Sequence, residues 1–588
     1  MVRGSHRGVG RNMADSAVRV IEIEDLTFSY ASQQHEVALR NVSCTIEQGS
    51  FVGITGLAEA GKSTFCRLIA GYIPHFFHGE FSGRVTVAGT NTRETTIGEL
   101  AERVGFVFEN PFDQLTGASL TVLEEVAFAL ENMGLARQEI RLRAEKSLSQ
   151  VGMEDLKDRH PQQLSGGQSQ RLALASILAI QPEVFILDEP TSQLDPLGVE
   201  EIFDVITDMH RGGNTLIVVS QDLDHLAIRA DRLMVIDKGE IKWDGEPRKV
   251  LLEAAETRYP ILMPDVLEIS RKLRAARRIP LTSPVPLTVE QAAKELSSIN
   301  TPRSAAEAIA SGRTSRHSKV ESSKELVFED VHYDYPTGVS AIRGVSLSLD
   351  EGCVCIVGQN GAGKTTFAKH LNGLLRPTRG RVLVRGMDTR EYRVAELARE
   401  VGLAFQNPDD QLFRSTVEEE VLFGPDNVGA SPEEAKRLVA TAIDLMDLEA
   451  VREKKPHDLG VPERKRVATA SVIAMNTPVV VLDEPTGGQD AEGIELLGQL
   501  VGQLVQQGKL VIVVTHDVKF AAQHADRVIA LHQGRVLLDN DPRTVFGREE
   551  ILTRTHVEPP AVTRLGKLLG LDETVLSPEE LLAVFVLG

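Results

Sequence analysis

The chain has 588 residues, 42% of them hydrophobic and 25% charged, with a formal net charge of −20. That is the composition of ordinary globular domains, and the length fits two large domains that each bury a core. The acidic balance argues against a general nucleic-acid binder, no apolar stretch approaches the roughly 20 residues of a membrane helix, and four cysteines without a C-x-x-C spacing read as buried thiols in a reducing compartment.

Residues 1–18 carry Gly, Arg and Ser but no apolar core. They read as a disordered N-terminal tail rather than a signal peptide, with Met13 as an alternative start. Strands are expected at 20–23, 26–30 and 38–46. Tyr30 closes the second, where its ring could stack on a base. The apolar run 51–54 then leads into Gly56-Leu57-Ala58-Glu59-Ala60-Gly61-Lys62-Ser63-Thr64, a strand, glycine-rich loop and helix start. In that context G-x-x-x-x-G-K-[ST] reads as a phosphate-binding loop. Backbone N–H groups and the helix N-terminus hold the anion, Lys62 reaches the terminal phosphates, and Ser63 offers a hydroxyl to Mg²⁺.

A strand over 104–108 ends at Glu109-Asn110-Pro111, a polar turn of the kind that carries function. Helices lead to Leu164-Ser165-Gly166-Gly167-Gln168, and a helix is expected over 171–180. The near-continuous apolar run 184–187 reads as a central parallel strand, with Asp188-Glu189 at its carboxyl end, where α/β sheets place ligands. A further strand, 216–219, leads to Ser220-Gln221-Asp222.

Every landmark then recurs about 300 residues later, the mark of a tandem duplication. Tyr335 stands for Tyr30, and Gly358-Gln359-Asn360-Gly361-Ala362-Gly363-Lys364-Thr365-Thr366 for the phosphate loop. Gln406-Asn407-Pro408 follows the strand from 401, and Leu459-Gly460-Val461-Pro462-Glu463 precedes a helix at 466–475. Asp483-Glu484 ends the run 479–482, and Thr515-His516-Asp517 follows the run 511–514. The expected organisation is two α/β P-loop domains, 19–255 and 325–550, each with an antiparallel β subdomain and a helical subdomain. Small helical tails occupy 256–296 and 551–588. A Ser/Thr/Ala/Arg-rich linker spans 297–324.

Together, a phosphate loop, Leu-Ser-Gly-Gly-Gln, an apolar strand ending Asp-Glu and a distal His resemble a duplicated ABC-type ATPase. The segments Asn407-Pro408-Asp409-Asp410-Gln411-Leu412 and Phe423-Gly424-Pro425-Asp426-Asn427-Val428-Gly429, with fainter echoes at 110–115 and 128–134, are similar to the ATPases of energy-coupling-factor importers. The resemblance implies ATP and Mg²⁺ as ligands. It also implies head-to-tail pairing of the two copies, each lending its signature to the other's phosphate loop.

On that basis site two combines Gly358, Asn360, Gly361, Gly363, Lys364, Thr365, Thr366, Gln406, Asp483, Glu484 and His516 with Ser165, Gly166, Gly167 and Gln168. Thr365, Asp483 and Gln406 would hold Mg²⁺, Glu484 would polarise the attacking water, and His516 would sense the γ-phosphate. Site one combines Gly56, Gly61, Lys62, Ser63, Thr64, Glu109, Asp188, Glu189 and Gln221 with Leu459–Glu463; Ser63, Asp188 and Glu109 are its metal candidates. It departs from the family pattern: Glu109 replaces Gln, Gln221 replaces His, the signature serine is gone, Val461 adds bulk and Pro462 lacks an N–H. Losing one preorganised donor can cost roughly 10²–10³ in rate, so site one is expected to bind Mg-ATP and turn over slowly.

The resemblance further implies an importer motor for a vitamin or transition-metal ion at the cytoplasmic face of the membrane. It would dock an integral coupling protein and a membrane substrate-binding component, partly through 407–412. A soluble tandem ATPase acting on ribosomes or nucleic acid is the alternative. The acidic charge and the absence of a long charged helical linker weigh against it. A small-molecule kinase would not need the signature.

Overall fold

The computed structural model describes residues 18–31, 37–192, 194–280, 284–297, 299 and 325–587. The tail expected over 1–18, save Val18, and nearly all of the linker expected over 297–324 lie outside the described residues.

Each copy contains a six-stranded sheet. In the second its order is Val401–Ala404, Val479–Asp483, Leu510–Val514, Gly352–Val357, Arg527–His532, Arg535–Asn540. All neighbours pair in parallel except the last hairpin. The first copy repeats the order with Val104–Val107, Val184–Asp188, Thr215–Val219, Phe51–Thr55, Arg232–Asp237 and Glu240–Gly245. The runs Phe51–Thr55, Val184–Asp188, Val479–Asp483 and Gly352–Val357 are buried throughout, as strands covered on both faces must be. A four-stranded antiparallel sheet flanks each core, built in the first copy on Arg19–Tyr30. The two strands expected at 20–23 and 26–30 are one strand, bent where its pairing register shifts between Ile23 and Leu26 and Asp25 takes φ +46.

Three helices form the helical subdomain of each copy: Val122–Asn132, Arg137–Gln150 and Gly166–Ile180, then Val417–Val428, Pro432–Leu445 and Val461–Ala474. The helices expected from 171 and 466 therefore start five residues earlier, inside the signatures. Ser165 caps the first through its hydroxyl, which accepts from the Gln168 N–H, while Gln168 accepts from the Ser165 N–H at 3.1 Å. Pro462 fits the first turn of the second, where no intrahelical N–H bond is lost.

The tails pack on each other. Val266, Ile269, Leu273 and Leu296 of the first share one core with Val562, Leu565, Leu581 and Phe585 of the last. Lys272–Glu579 and Lys519–Asp265 ion pairs tie the first tail to the second copy. All four cysteines are free, three of them buried. Among the described residues no helix is long and apolar enough to cross a membrane.

Candidate functional site

In the second copy the Lys364 ammonium donates to the carbonyls of Gly358 (2.6 Å) and Gln359 (3.3 Å) and lies 3.4 Å from Glu484 Oε1. Glu484 leaves its strand at φ +49 with its N–H on the Val514 carbonyl, a left-handed backbone of the kind stored at functional sites. The His516 N–H donates to Glu484 Oε2 at 3.1 Å, and His516 Nδ1 lies 2.8 Å from the same oxygen. Burial pushes the Glu484 carboxyl up, but the charge and hydrogen bonds of His516, joined by Lys364, outweigh it and hold it down at about 2. Burial also works against His516, and Glu484 overrides it, so the imidazole is raised.

Asp483, one residue before, is pushed up to about 6 by burial and by Glu484, against a hydrogen bond from Thr365 and the charge of Lys364. Its Oδ1 is buried without a hydrogen-bond partner. An orphaned carboxylate oxygen beside a threonine hydroxyl suits a hard divalent cation that takes its remaining ligands from phosphate and water.

The first copy has the same scaffold and different electrostatics. Lys62 donates to the Gly56 (2.9 Å) and Leu57 (2.6 Å) carbonyls. Gln221 turns its amide to the Gly56 carbonyl at 2.7 Å, and only its backbone N–H reaches Glu189, at 3.3 Å. Burial, opposed by Lys62 but reinforced by Glu109 and Asp188, pushes Glu189 up to about 8. Burial thus favours the neutral acid at Glu189, whereas His516 and Lys364 favour the carboxylate at Glu484.

The phosphate loops differ as well. Gly361 takes φ +77, and a Cβ there would meet nothing within 4 Å. Glu59 holds the same place in the first loop at φ +58. Burial and the facing carboxyl of Glu463, the last residue of the second signature, both raise Glu59.

The copies face each other head to tail. Asp195 Oδ2 accepts from the Asn360 N–H at 2.7 Å, and Asp490 Oδ2 from the Ala58 N–H at 3.0 Å, so each phosphate loop is held by an aspartate of the other copy. A cleft of about 930 Å³ between them is lined by Ser63, Glu109 and Asp188 with Val461, and by Asn360, Gln406, Glu484 and His516 with Gly166. Gly166 has open space where a Cβ would stand, so packing does not demand glycine there. Val461 projects its side chain at the corresponding place in the other half.

Not every expected site residue lines this cleft. Ser165 and Gln168 are engaged in capping, and Gly56, Gly61, Gly358 and Gly363 shape the loops from beneath. Tyr30 and Tyr335 stand beside the starts of the phosphate-loop helices, their hydroxyls 3.0 Å from those of Thr64 and Thr366. Asp409, within the 407–412 segment expected to contribute to docking, pairs with Arg464 at 3.1 Å.

Two sets of residues were not anticipated. Asp195 and Asp490 precede helices and read as N-caps, a role they also fill; nothing local encodes their reach into the other copy. Gln114 and Gln411 bridge the loops to the signature helices. Gln411 accepts from the Phe405 N–H at 3.1 Å and donates to the Ala468 carbonyl at 2.9 Å, and Gln114 makes the same bonds to Phe108 and Ala173.

The family described as ABC transporter matches residues 39–192 and 342–487. Two proteins named as ABC transporter ATP-binding proteins are each 36% identical to this chain. The one from Caldanaerobacter subterraneus subsp. tengcongensis aligns over 96% of this chain and 98% of its own length, and the one from Methanosarcina acetivorans over 94% and 91%. Among solved structures, cbiO1 from Clostridium perfringens, described as part of the ABC transporter complex cbiONQ, covers 42% of this chain and 99% of its own at 32% identity, with a TM-score of 0.36.

Proposed function

The chain belongs to the ABC transporter family as a tandem ATP-binding and ATP-hydrolysing protein, and from that premise we propose that it is the motor of an importer of the energy-coupling-factor kind, with one hydrolysing site and one that binds Mg-ATP and turns over slowly. The observation that carries the asymmetry is the Glu484–His516 pair, matched in the first copy by a Gln221 whose side chain turns to the Gly56 carbonyl and leaves Glu189 its backbone N–H.

At site two, Lys364 and the loop N–H groups bind the terminal phosphates, and Asn360 is oriented by Asp195. Glu484 accepts a hydrogen bond from the attacking water and orients it in line. Its left-handed backbone aims the carboxylate from the strand end into the cleft. His516 leaves Glu484 for the γ-phosphate when the substrate enters. Asp483, Thr365 and Gln406 would hold Mg²⁺, whose chemistry is to offset charge on the β- and γ-phosphates. At site one Ser63, Asp188 and Glu109 would do the same, beside a Glu189 that burial biases toward its protonated form and that has no imidazole partner.

The ATPase units are taken as 19–255 and 325–550, with tails at 256–296 and 551–588. Transport is supported by the names of the relatives, and docking by exposed apolar side chains beside the Gln406 and Glu109 loops. Phe413 packs edge-on against Phe423 under Arg414, and Phe112 and Phe128 are exposed in the first copy. Because Gln114 and Gln411 join those loops to the signatures, a push on them moves a cis loop and a trans signature together. An integral coupling protein and a membrane substrate-binding component would seat there, at the cytoplasmic face. The test is affinity purification of the tagged chain from detergent-solubilised membranes with mass spectrometry. Polytopic membrane proteins are expected, and ribosomal proteins in their place would refute the reading.

A further inference from the structure

The helix Val461–Ala474 belongs to both sites. Its first turn presents Val461 to the phosphate loop of the first copy, across a cleft it shares with Ser63 and Asp188. One turn further in, the Lys465 ammonium donates to the carbonyl of Glu484 at 3.0 Å and to that of Gly487 at 2.8 Å. It therefore clamps both ends of the turn Glu484-Pro485-Thr486-Gly487. A Cβ on Gly487 would lie 3.1 Å from this ammonium and 3.5 Å from the Ser192 carbonyl of the other copy, so the clamp sits where the two domains meet.

Among the described residues the first copy has no counterpart. There Gln170 holds the position of Lys465; its Nε2 is buried without a hydrogen-bond partner, and the carbonyl of Glu189, at φ +48, accepts the neutral Ser192 N–H at 3.3 Å in place of an ammonium. Hydrogen bonds from a charged donor in a poorly solvated place are roughly twice as strong as neutral ones, so the ammonium fixes the Glu484 backbone from behind. Glu109, facing site one, is among the anions that counter the desolvation of Lys465. The clamp therefore feels the first site's charge as well as the helix's position.

We propose that Lys465 is a positioning residue through which occupancy of site one sets the geometry of Glu484 at site two. ATP between the first phosphate loop and the tip of the helix draws the helix inward; the ammonium moves with it and carries the Glu484 turn into line with the substrate. The link runs one way, because Gln170 makes no such bonds to Glu189. It rests on the reading that Glu484 belongs to the hydrolysing site.

The test is a double-mutant cycle on the full chain, read as steady-state phosphate release against ATP concentration, with labelled-nucleotide stoichiometry and thermal midpoint for every variant. Lys465→Met is expected to lower kcat on the order of ten- to a hundredfold while KM changes by less than about threefold, the pattern of a misplaced catalytic group. Lys62→Ala, which weakens nucleotide at site one, is expected to lower kcat in the parent and to have no further effect beside Lys465→Met. Should Lys465→Met fail to fold, Lys465→Gln, which copies the first repeat, serves in the same cycle. Unchanged turnover in the Lys465 variant, no effect of Lys62→Ala in the parent, or independent multiplication of the two effects would overturn the proposal. Glu484→Gln is run alongside: if it is inactive, those outcomes fall on Lys465 alone, whereas if it still turns over, the site assignment and the proposal fall together.

Discussion

His516 Nδ1 lies 2.8 Å from Glu484 Oε2, while Gln221, its counterpart, gives its side-chain amide to the Gly56 carbonyl instead of to Glu189. His516 is the foremost influence holding the Glu484 carboxyl down against burial, and Gln221 offers Glu189 a backbone N–H instead. With an imidazolium beside it, Glu484 stays ionised down to about 2. Removing the imidazole leaves burial opposed mainly by Lys364. His516→Ala is therefore expected to lower turnover by at least about tenfold near neutral pH and to move the acid limb of the pH–rate profile upward. Gln221→Ala should leave both nearly unchanged.

The two glutamates make opposite contributions to stability as pH changes. Glu189 binds its proton more tightly folded, at about 8, than its ordinary value of 4.5. Its contribution is full below 4.5 and is lost as pH rises through 8. Glu484 is depressed to about 2, so its contribution is full above 4.5 and is lost only as pH falls through 2. Glu189→Gln mimics the protonated acid and is expected to flatten the fall in thermal midpoint between pH 5.5 and 8. Glu484→Gln should leave that fall in place.

Site one should be repairable. Glu109→Gln removes the anion that helps to raise Glu189, and Gln221→His restores the imidazole. Gly460→Ser, Val461→Gly, Pro462→Gly and Glu463→Gln rebuild the trans cradle. In a Glu484→Gln background, the six changes together are expected to recover phosphate release by about tenfold or more, since together they restore preorganised donors and acceptors and remove the bulk of Val461. Glu109→Gln alone should lower the pH at which Glu189 titrates.

The shared tail core predicts a stability effect remote from nucleotide. Leu273 and Leu565 are fully buried where the two tails meet. Leu565→Ala is expected to cost about 2–5 kcal/mol in urea unfolding, as large-to-small core changes do. A loss below about 1 kcal/mol would mean that the tails separate readily.

Features encoded by short spacing were legible in the sequence. A glycine-rich loop between strand and helix, an apolar run ending Asp-Glu, and the replacement of Gln and His by Glu109 and Gln221 are local patterns. Of the residues they name, Ser63, Glu109, Asp188, Asn360, Gln406, Glu484 and His516 line one cleft. The signatures open their helices because Ser165 caps the first and Pro462 fits the first turn of the second, so both begin five residues ahead of the expected starts at 171 and 466. What could not be read is what crosses between copies. Asp195 carries the marks of a helix cap, and only the assembled pair reveals Asn360 beneath its second oxygen. Lys465 and Gln170 differ by one residue in a repeat, and the carbonyls they face are brought there by folding. The two tails each look too small for a core, and each supplies half of one.

The central claim, that turnover belongs to Glu484 and its site, is tested most directly by phosphate release from Glu484→Gln and Glu189→Gln measured side by side, with nucleotide stoichiometry confirming that both sites fill. The account predicts that Glu484→Gln loses on the order of 10²-fold or more while Glu189→Gln stays within about fivefold of the parent. Equal losses, or a larger loss from Glu189→Gln, would contradict it.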